Sequence, residues 1–224
     1  MTTEIMKNVK ILNTDILPIL NRAVDLWRSD PSFRDSVGFD GENAKRDDWI
    51  SDQYFEKIYN MKNNHAGFPE KAHMASLRPD FFRTRKADPA YKNRYLETWK
   101  KINEELMQTL GVRSNALCAV YPPGGFIGWH NNANASSYNL IMTWSENGNG
   151  YWKHFNPYTK QFEVIPDVAG WQAKATFFGG YHDKPEDIVY HMASTDCWRM
   201  TIAYVFDRNH KEYWEDALAE LEMQ

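Results

Sequence analysis

The sequence predicts a mostly β fold, a sandwich or barrel of short strands with helices packed outside it. Three observations carry this. From about residue 115 to 207 the chain reads as short β-rich runs punctuated by Gly and Pro turns. The first hundred residues show helical spacing or no period. Aromatic residues make up 15% of the 224, nine of them Trp, a composition suited to sandwiches and barrels with few large helices.

Taken in order, Thr14 is placed to cap a helix with Leu17, Leu20, Val24 and Trp27 on one face. Pro18 is tolerated in its first turn, and Asp30-Pro31 ends it. Residues 31–90 mix Gly, Pro, Asp and aromatics without a period, and no element is assigned there. Tyr95, Trp99, Ile102, Leu106 and Leu110 repeat at steps of four and three, and Gly111 supplies the stop. Strands are expected over 115–121, 126–130, 138–144, 151–155, 161–165, 174–178 and 198–206, and a short amphipathic helix over 212–222. In the strand over 138–144, Tyr138, Leu140, Met142 and Trp144 share one face and Asn139, Ile141 and Thr143 the other. The organisation is thus a helical or irregular region over 1–112 packing on a β core over 113–207, with a closing helix over 208–224.

A net charge of −4 argues against a general nucleic-acid binder. Cys118 and Cys197 lie in apolar runs and read as buried free thiols of a reducing compartment. The first ten residues form no apolar signal region, and no run approaches membrane-spanning length. The expectation is a soluble, cytoplasmic protein.

Two short segments carry chemistry. In Trp129-His130-Asn131-Asn132, a His after a strand is followed two positions on by an oxygen-bearing side chain. Such a pair can direct two donors at one ion, and with a distal His it approaches a two-His facial site; the alternative is a polar turn. Farther on, His191 opens a short turn over 193–196, and a strand then places Arg199 and Thr201 on one face. An Arg pointing into a barrel needs an anion, and its fork with a neighbouring hydroxyl suits the far carboxylate of a dicarboxylate. An internal salt bridge to Glu163 or Asp187 is the alternative.

The order of strand, His130, alternating strand, Gly turns, His191 and an Arg199-bearing strand resembles the Fe(II)/2-oxoglutarate-dependent oxygenase superfamily. The stretch VYHMASTDCWRMTIAYVFD over 189–207 looks like the closing strands of its prolyl-hydroxylase-like members. The resemblance covers residues 115–207 and implies a double-stranded β-helix (jelly roll). It also implies Fe(II) on His130, His191 and Asn132 or water, and 2-oxoglutarate on Arg199 and Thr201. Tyr138 and Asn139 lie on the strand that often lines the cosubstrate pocket, and either can hydrogen-bond 2-oxoglutarate; for Tyr138 the alternation gives a place in the core as the alternative. Asn132 stands where the superfamily has Asp or Glu. Here the chain is similar to the aspartyl/asparaginyl β-hydroxylases, which work with two histidines and no carboxylate ligand. It also resembles uncharacterised oxygenase-like proteins of tailed phages, which would put it in a host cytoplasm.

The resulting expectation is a dioxygenase hydroxylating a protein side chain or another macromolecule. Its rivals are a catalytically inactive oxygenase fold with a structural or partner-binding role, and a cupin-like module, for which additional His or Glu ligands are missing. Between Arg78 and Lys101, basic residues (Arg83, Arg85, Lys86, Lys92, Arg94, Lys100) alternate with Phe81, Phe82, Tyr91, Tyr95 and Trp99. This segment is the candidate contact for a peptide, protein or nucleic-acid substrate; the alternative is a helix with a solvated basic face and an aromatic core face. His154 and His182 are placed near strand ends, and His65, His73 and His210 receive no role.

Overall fold

A computed structural model of the chain describes residues 5–29, 39–79 and 89–223. Eleven described strands form two antiparallel sheets facing each other, the arrangement of a jelly roll. The larger sheet has the order β1 (Lys7–Val9), β9 (Gly170–Phe178), β6 (Ser137–Ser145), β11 (Arg199–Asp207), β4 (Ser114–Tyr121), β3 (Ala75–Ser76). The smaller has the order β2 (Ala72–His73), β5 (Phe126–His130), β10 (His191–Thr195), β7 (Gly150–Asn156), β8 (Gln161–Pro166).

Period-2 alternation divides the larger sheet between two environments. Leu140, Met142 and Trp144 of β6, with Met200, Ile202 and Tyr204 of β11, point outward. They are covered by α1 (Ile16–Arg28), by Tyr95, Trp99, Ile102 and Leu106 of a long helix with Leu110 just beyond its end, and by Trp214, Leu218 and Leu221 of a closing one. The long helix is Pro89–Thr109, preceded in the chain by α2 (Asp47–Ile50) and α3 (Asp52–Met61); it is α4, and the closing helix Lys211–Glu222 is α5. The inward face of the same strands meets the smaller sheet. That sheet's outer face carries Trp129, Phe155, Phe162, Tyr190 and Met192, and α3 caps it with Tyr54, Phe55 and Ile58.

Four features differ from the sequence expectation. The N-cap position of α1 is Asp15 and not Thr14, and the N–H groups of Asp15 and Ile16 are accepted by Asn13 Oδ1. Residues His191–Thr195 form a central strand and not a turn, because a short run of small residues buried on both faces shows no alternation. The unassigned stretch before residue 90 supplies β2, β3, α2 and α3. Finally, β1, β2 and β3 add strands to both sheets, so the N-terminal part is woven into the β core as well as packed on it. Both cysteines are free and buried. No helix among the described residues is long and apolar enough to cross a membrane.

Candidate functional site

A cavity of about 420 Å³ lies between the sheets. His130, His191, Asn132, Asn139, Arg199 and Thr201 all line it. His130 and His191 sit directly opposite each other on the neighbouring strands β5 and β10. Their rings are 4.1 Å apart, centroid to centroid, and tilted by 56°.

Each imidazole is oriented by its own strand. His130 Nδ1 lies 2.8 Å from Gly128 O, and His191 Nδ1 lies 2.9 Å from Val189 O. A carbonyl only accepts, so both Nδ1 atoms carry the proton and both Nε2 atoms present a lone pair. Burial pushes the pKa of His130 down to about 4 and that of His191 well below its ordinary value, which keeps both rings neutral. His191 is further clamped between Trp152 and Phe178, stacked at 4.6 and 4.7 Å. Two fixed, neutral nitrogen donors facing each other in a cavity wall fit a borderline transition metal.

Asn132 follows in a tight turn, with its backbone in the left-handed region at φ 63°. The turn is held by Asn131, whose Oδ1 accepts from Ala133 N–H at 3.1 Å, and by the Ala135 N–H bond to Asn132 O at 3.1 Å. The Asn132 amide makes no hydrogen bond among the described residues, and the residue lines the cavity. A loop not foreseen from the sequence braces this turn. Asn131 N–H donates to Gly67 O, and Gly67 lies so close to Ala133 that a Cβ there would sit 2.3 Å from its backbone. His65 in that loop is buried and accepts from Gly67 N–H through Nδ1.

Arg199 is buried on the cavity floor with its guanidinium over the Tyr121 ring at 5.3 Å. Its Nη1 donates to Thr201 Oγ1 at 2.7 Å. It also has a protein counter-ion, which is neither Glu163 nor Asp187: Nε donates to Asp167 Oδ2 at 2.8 Å. Lys174 of β9 approaches the other Asp167 oxygen at 3.4 Å. Neither Asp167 nor Lys174 was singled out in the sequence; the signal for Lys174 is a cation inside the alternating run Ala173-Lys174-Ala175-Thr176.

The structure separates Tyr138 from the other candidates. Its ring lies on the outer face of β6, against Phe177 and Trp214, as the alternation with Leu140 and Met142 requires. Asn139, one residue on, faces inward, and its Nδ2 donates to Ser137 O. His154 lies two residues from the end of β7, as expected, but is fully buried, opposite His191 in register and 3.0 Å from Glu163. Among the described residues no group of three or more His, Cys, Asp or Glu side chains converges to hold a cation.

In the basic segment, residues 80–88, with Phe81, Phe82, Arg83, Arg85 and Lys86, lie outside the described residues, as does the Tyr91 side chain. Tyr95 and Trp99 turn into the core, and Lys100 pairs with Glu104. Arg78 lines the cavity and donates to Ala116 O at 2.8 Å.

No protein-family model and no curated protein matches the sequence. Among solved structures the chain is similar to a prolyl-4-hydroxylase of Pseudomonas putida, at 14% identity and a TM-score of 0.42, over 92% of this chain and 94% of that one. It is similar to OsALKBH1 at 12% identity and a TM-score of 0.39, over 90% and 96%. It is also similar to the viral collagen prolyl hydroxylase of Paramecium bursaria Chlorella virus-1, described as a 2OG complex, at 10% identity and a TM-score of 0.33, over 70% and 90%.

Proposed function

We propose that the chain is an Fe(II)- and 2-oxoglutarate-dependent dioxygenase that hydroxylates a protein side chain or another macromolecular substrate. The observation that carries this reading is the sharing of one cavity by the opposed imidazoles and Arg199 with Thr201. His130 and His191 would hold the iron through Nε2, with the Asn132 amide oxygen or water at a third position. Arg199 and Thr201 would receive the far carboxylate of 2-oxoglutarate, and Asn139 stands on the same wall. When bound, iron with 2-oxoglutarate supplies the power to oxidise a C–H bond with dioxygen.

The chain's own share is placement and exclusion. The two Nδ1–H bonds to backbone carbonyls fix the ring tautomers before any metal arrives. Trp152 and Phe178 remove water from both faces of His191. The mouth next to Arg78 and the exposed Phe68 is where a bulky substrate would enter.

The test is an anaerobic titration with Fe(II) and then 2-oxoglutarate, watching for a visible metal-to-ligand charge-transfer band. The wild type should develop it. Arg199→Ala should lose the 2-oxoglutarate response while keeping Fe(II) binding. Failure of the wild type to bind Fe(II) would sink the reading. One observation favours an inactive scaffold instead, namely the neutral Asn132 where a carboxylate ligand is usual. That alternative expects no band and no succinate.

A further inference from the structure

Behind Arg199 lies a charge cluster that the reading above does not use. One Asp167 oxygen accepts from Arg199 Nε at 2.8 Å. The other accepts from Gln172 Nε2 at 2.9 Å and Lys174 Nζ at 3.4 Å. All three charged side chains are at most 2% exposed. Arg199 cannot discharge in a protein. With Asp167 ionised and Lys174 protonated, the cluster therefore holds two positive charges against one negative. A surplus charge in a sealed interior is strongly disfavoured unless an anion joins it. Asp167 occupies the Nε edge of the guanidinium. Among the described residues the Nη edge meets only neutral hydroxyls, Thr201 Oγ1 at 2.7 Å and Thr143 Oγ1 at 3.4 Å, and this is the part of Arg199 left to bind an incoming anion.

We propose that Lys174 is a specificity-determining residue: it supplies the surplus positive charge that makes the Arg199 end of the cavity select a fully ionised carboxylate, while Asp167 positions Arg199 by its Nε edge. The inference rests on the reading that the cavity takes a dicarboxylate. It names Lys174, which stands on a different strand from Arg199 and reaches the ligand only through the field of the cluster.

The charge is also removable. Burial brings the pKa of Lys174 down to about 8; Asp167 opposes that shift and Arg199 adds to it. Raising the pH through this value neutralises Lys174 and cancels the surplus, so anion affinity falls. The charged groups facing Lys174 are Asp167 from the loop after β8 and Arg199 from β11. Tyr121, beneath the guanidinium, is held protonated by burial to about 12. Cys197 lies two residues before Arg199. Burial raises its pKa, but hydrogen bonds led by that from Ser145 bring it below the ordinary thiol value, so it is a competing source of pH dependence.

The experiment is a calorimetric titration of glutarate into the full, metal-free chain at pH 7 and pH 9.5. It compares wild type with Lys174→Met, Lys174→Arg and Cys197→Ser. Glutarate affinity of the wild type should fall on the order of tenfold between the two pH values, the size expected for losing one nearby charge at intermediate dielectric. Lys174→Met should bind about tenfold more weakly at pH 7 and show no slope. Lys174→Arg should keep the pH 7 affinity and also show no slope, which preserves the test if the Met variant fails to fold. Cys197→Ser should keep the wild-type slope. The inference is overturned if Lys174→Met binds as tightly as wild type, if Lys174→Arg keeps the slope, or if wild type does not bind glutarate. Iron binding is read separately by anaerobic calorimetric titration of Fe(II) alone, so a site that holds Fe(II) but ignores Lys174 ends this inference and leaves the oxygenase reading standing.

Discussion

Removing the Asp167 carboxylate tests how the cavity floor is held together. In Asp167→Ala, Arg199 Nε loses its acceptor at 2.8 Å, Lys174 loses its anion at 3.4 Å, and the Gln172 amide loses a bond of 2.9 Å. The two cations respond differently. Lys174 already sits near pKa 8 and can shed its proton near neutrality, for about 1.4 kcal/mol per pH unit below its pKa. Arg199 has no such escape, so the loss is dominated by an unpaired buried guanidinium. Breaking a buried pair in this way costs about 3–5 kcal/mol. For a chain of this size that lowers the thermal midpoint by on the order of 10 °C. Denaturant unfolding and thermal melts at pH 7 measure both quantities. The double variant Asp167→Leu with Arg199→Met, which removes both charges, should recover most of the loss. A single-variant loss below about 1 kcal/mol, or a double variant no more stable than the single, would refute the reasoning. The acid limb gives a second check. Burial raises the Asp167 pKa, but Arg199 and Lys174 more than offset this and leave it below the ordinary carboxyl value. The contribution of the pair is therefore fully present above the unfolded value of 3.8 and is lost as pH falls through the lower folded value. Wild type and Asp167→Ala should converge in stability only in that acid range.

Two further outcomes are expected. Asn132→Asp should tighten Fe(II) binding by on the order of tenfold or more in an anaerobic titration, because a carboxylate replaces a neutral donor beside His130; unchanged affinity would mean that Asn132 contributes nothing to the ion. Phe55→Ala should cost about 3–5 kcal/mol in denaturant unfolding, because the buried ring fills the space among Trp129, Phe155, Phe162 and Tyr190; a loss under about 1 kcal/mol would mean that the outer face of the smaller sheet collapses freely around the gap.

The strands of the β core were legible because most of them alternate or are bounded by Gly and Pro. The β6 pattern placed Asn139, Ile141 and Thr143 opposite Leu140 and Met142, and the cavity and the helices lie on those two sides. The same pattern argues against Tyr138 as a cavity residue, and the structure has it packed on Trp214. The strand His191–Thr195 was not legible, since burial on both faces erases the alternation that marks a strand. Asp167 gave no signal because its role depends on register: the turn after β8 brings it beneath a strand more than thirty residues on. The burial of His154 was hidden for the same reason, since only the pairing of β7 with β10 sets it beside His191. Between residues 39 and 79 the strands β2 and β3 are two residues long and exist only through the sheets they join, so no local period announces them.

The alternation along β6 and β11 has a consequence for how this chain can change over generations. Each of these strands carries stability on one face and cavity chemistry on the other, and the two are interleaved one residue at a time. Substitution at Asn139, Ile141 or Ala203 reshapes the cavity without touching the helix-covered side. Deleting or inserting a single residue within either strand does the reverse of fine adjustment: it exchanges the faces, turning Leu140 and Met142 into the cavity and Asn139 and Thr143 under the helices. The lengths of these two strands are therefore frozen while their inner residues remain free to drift, and new ligand preferences in descendants of this chain would arise by point replacement there and by length changes in the loops alone.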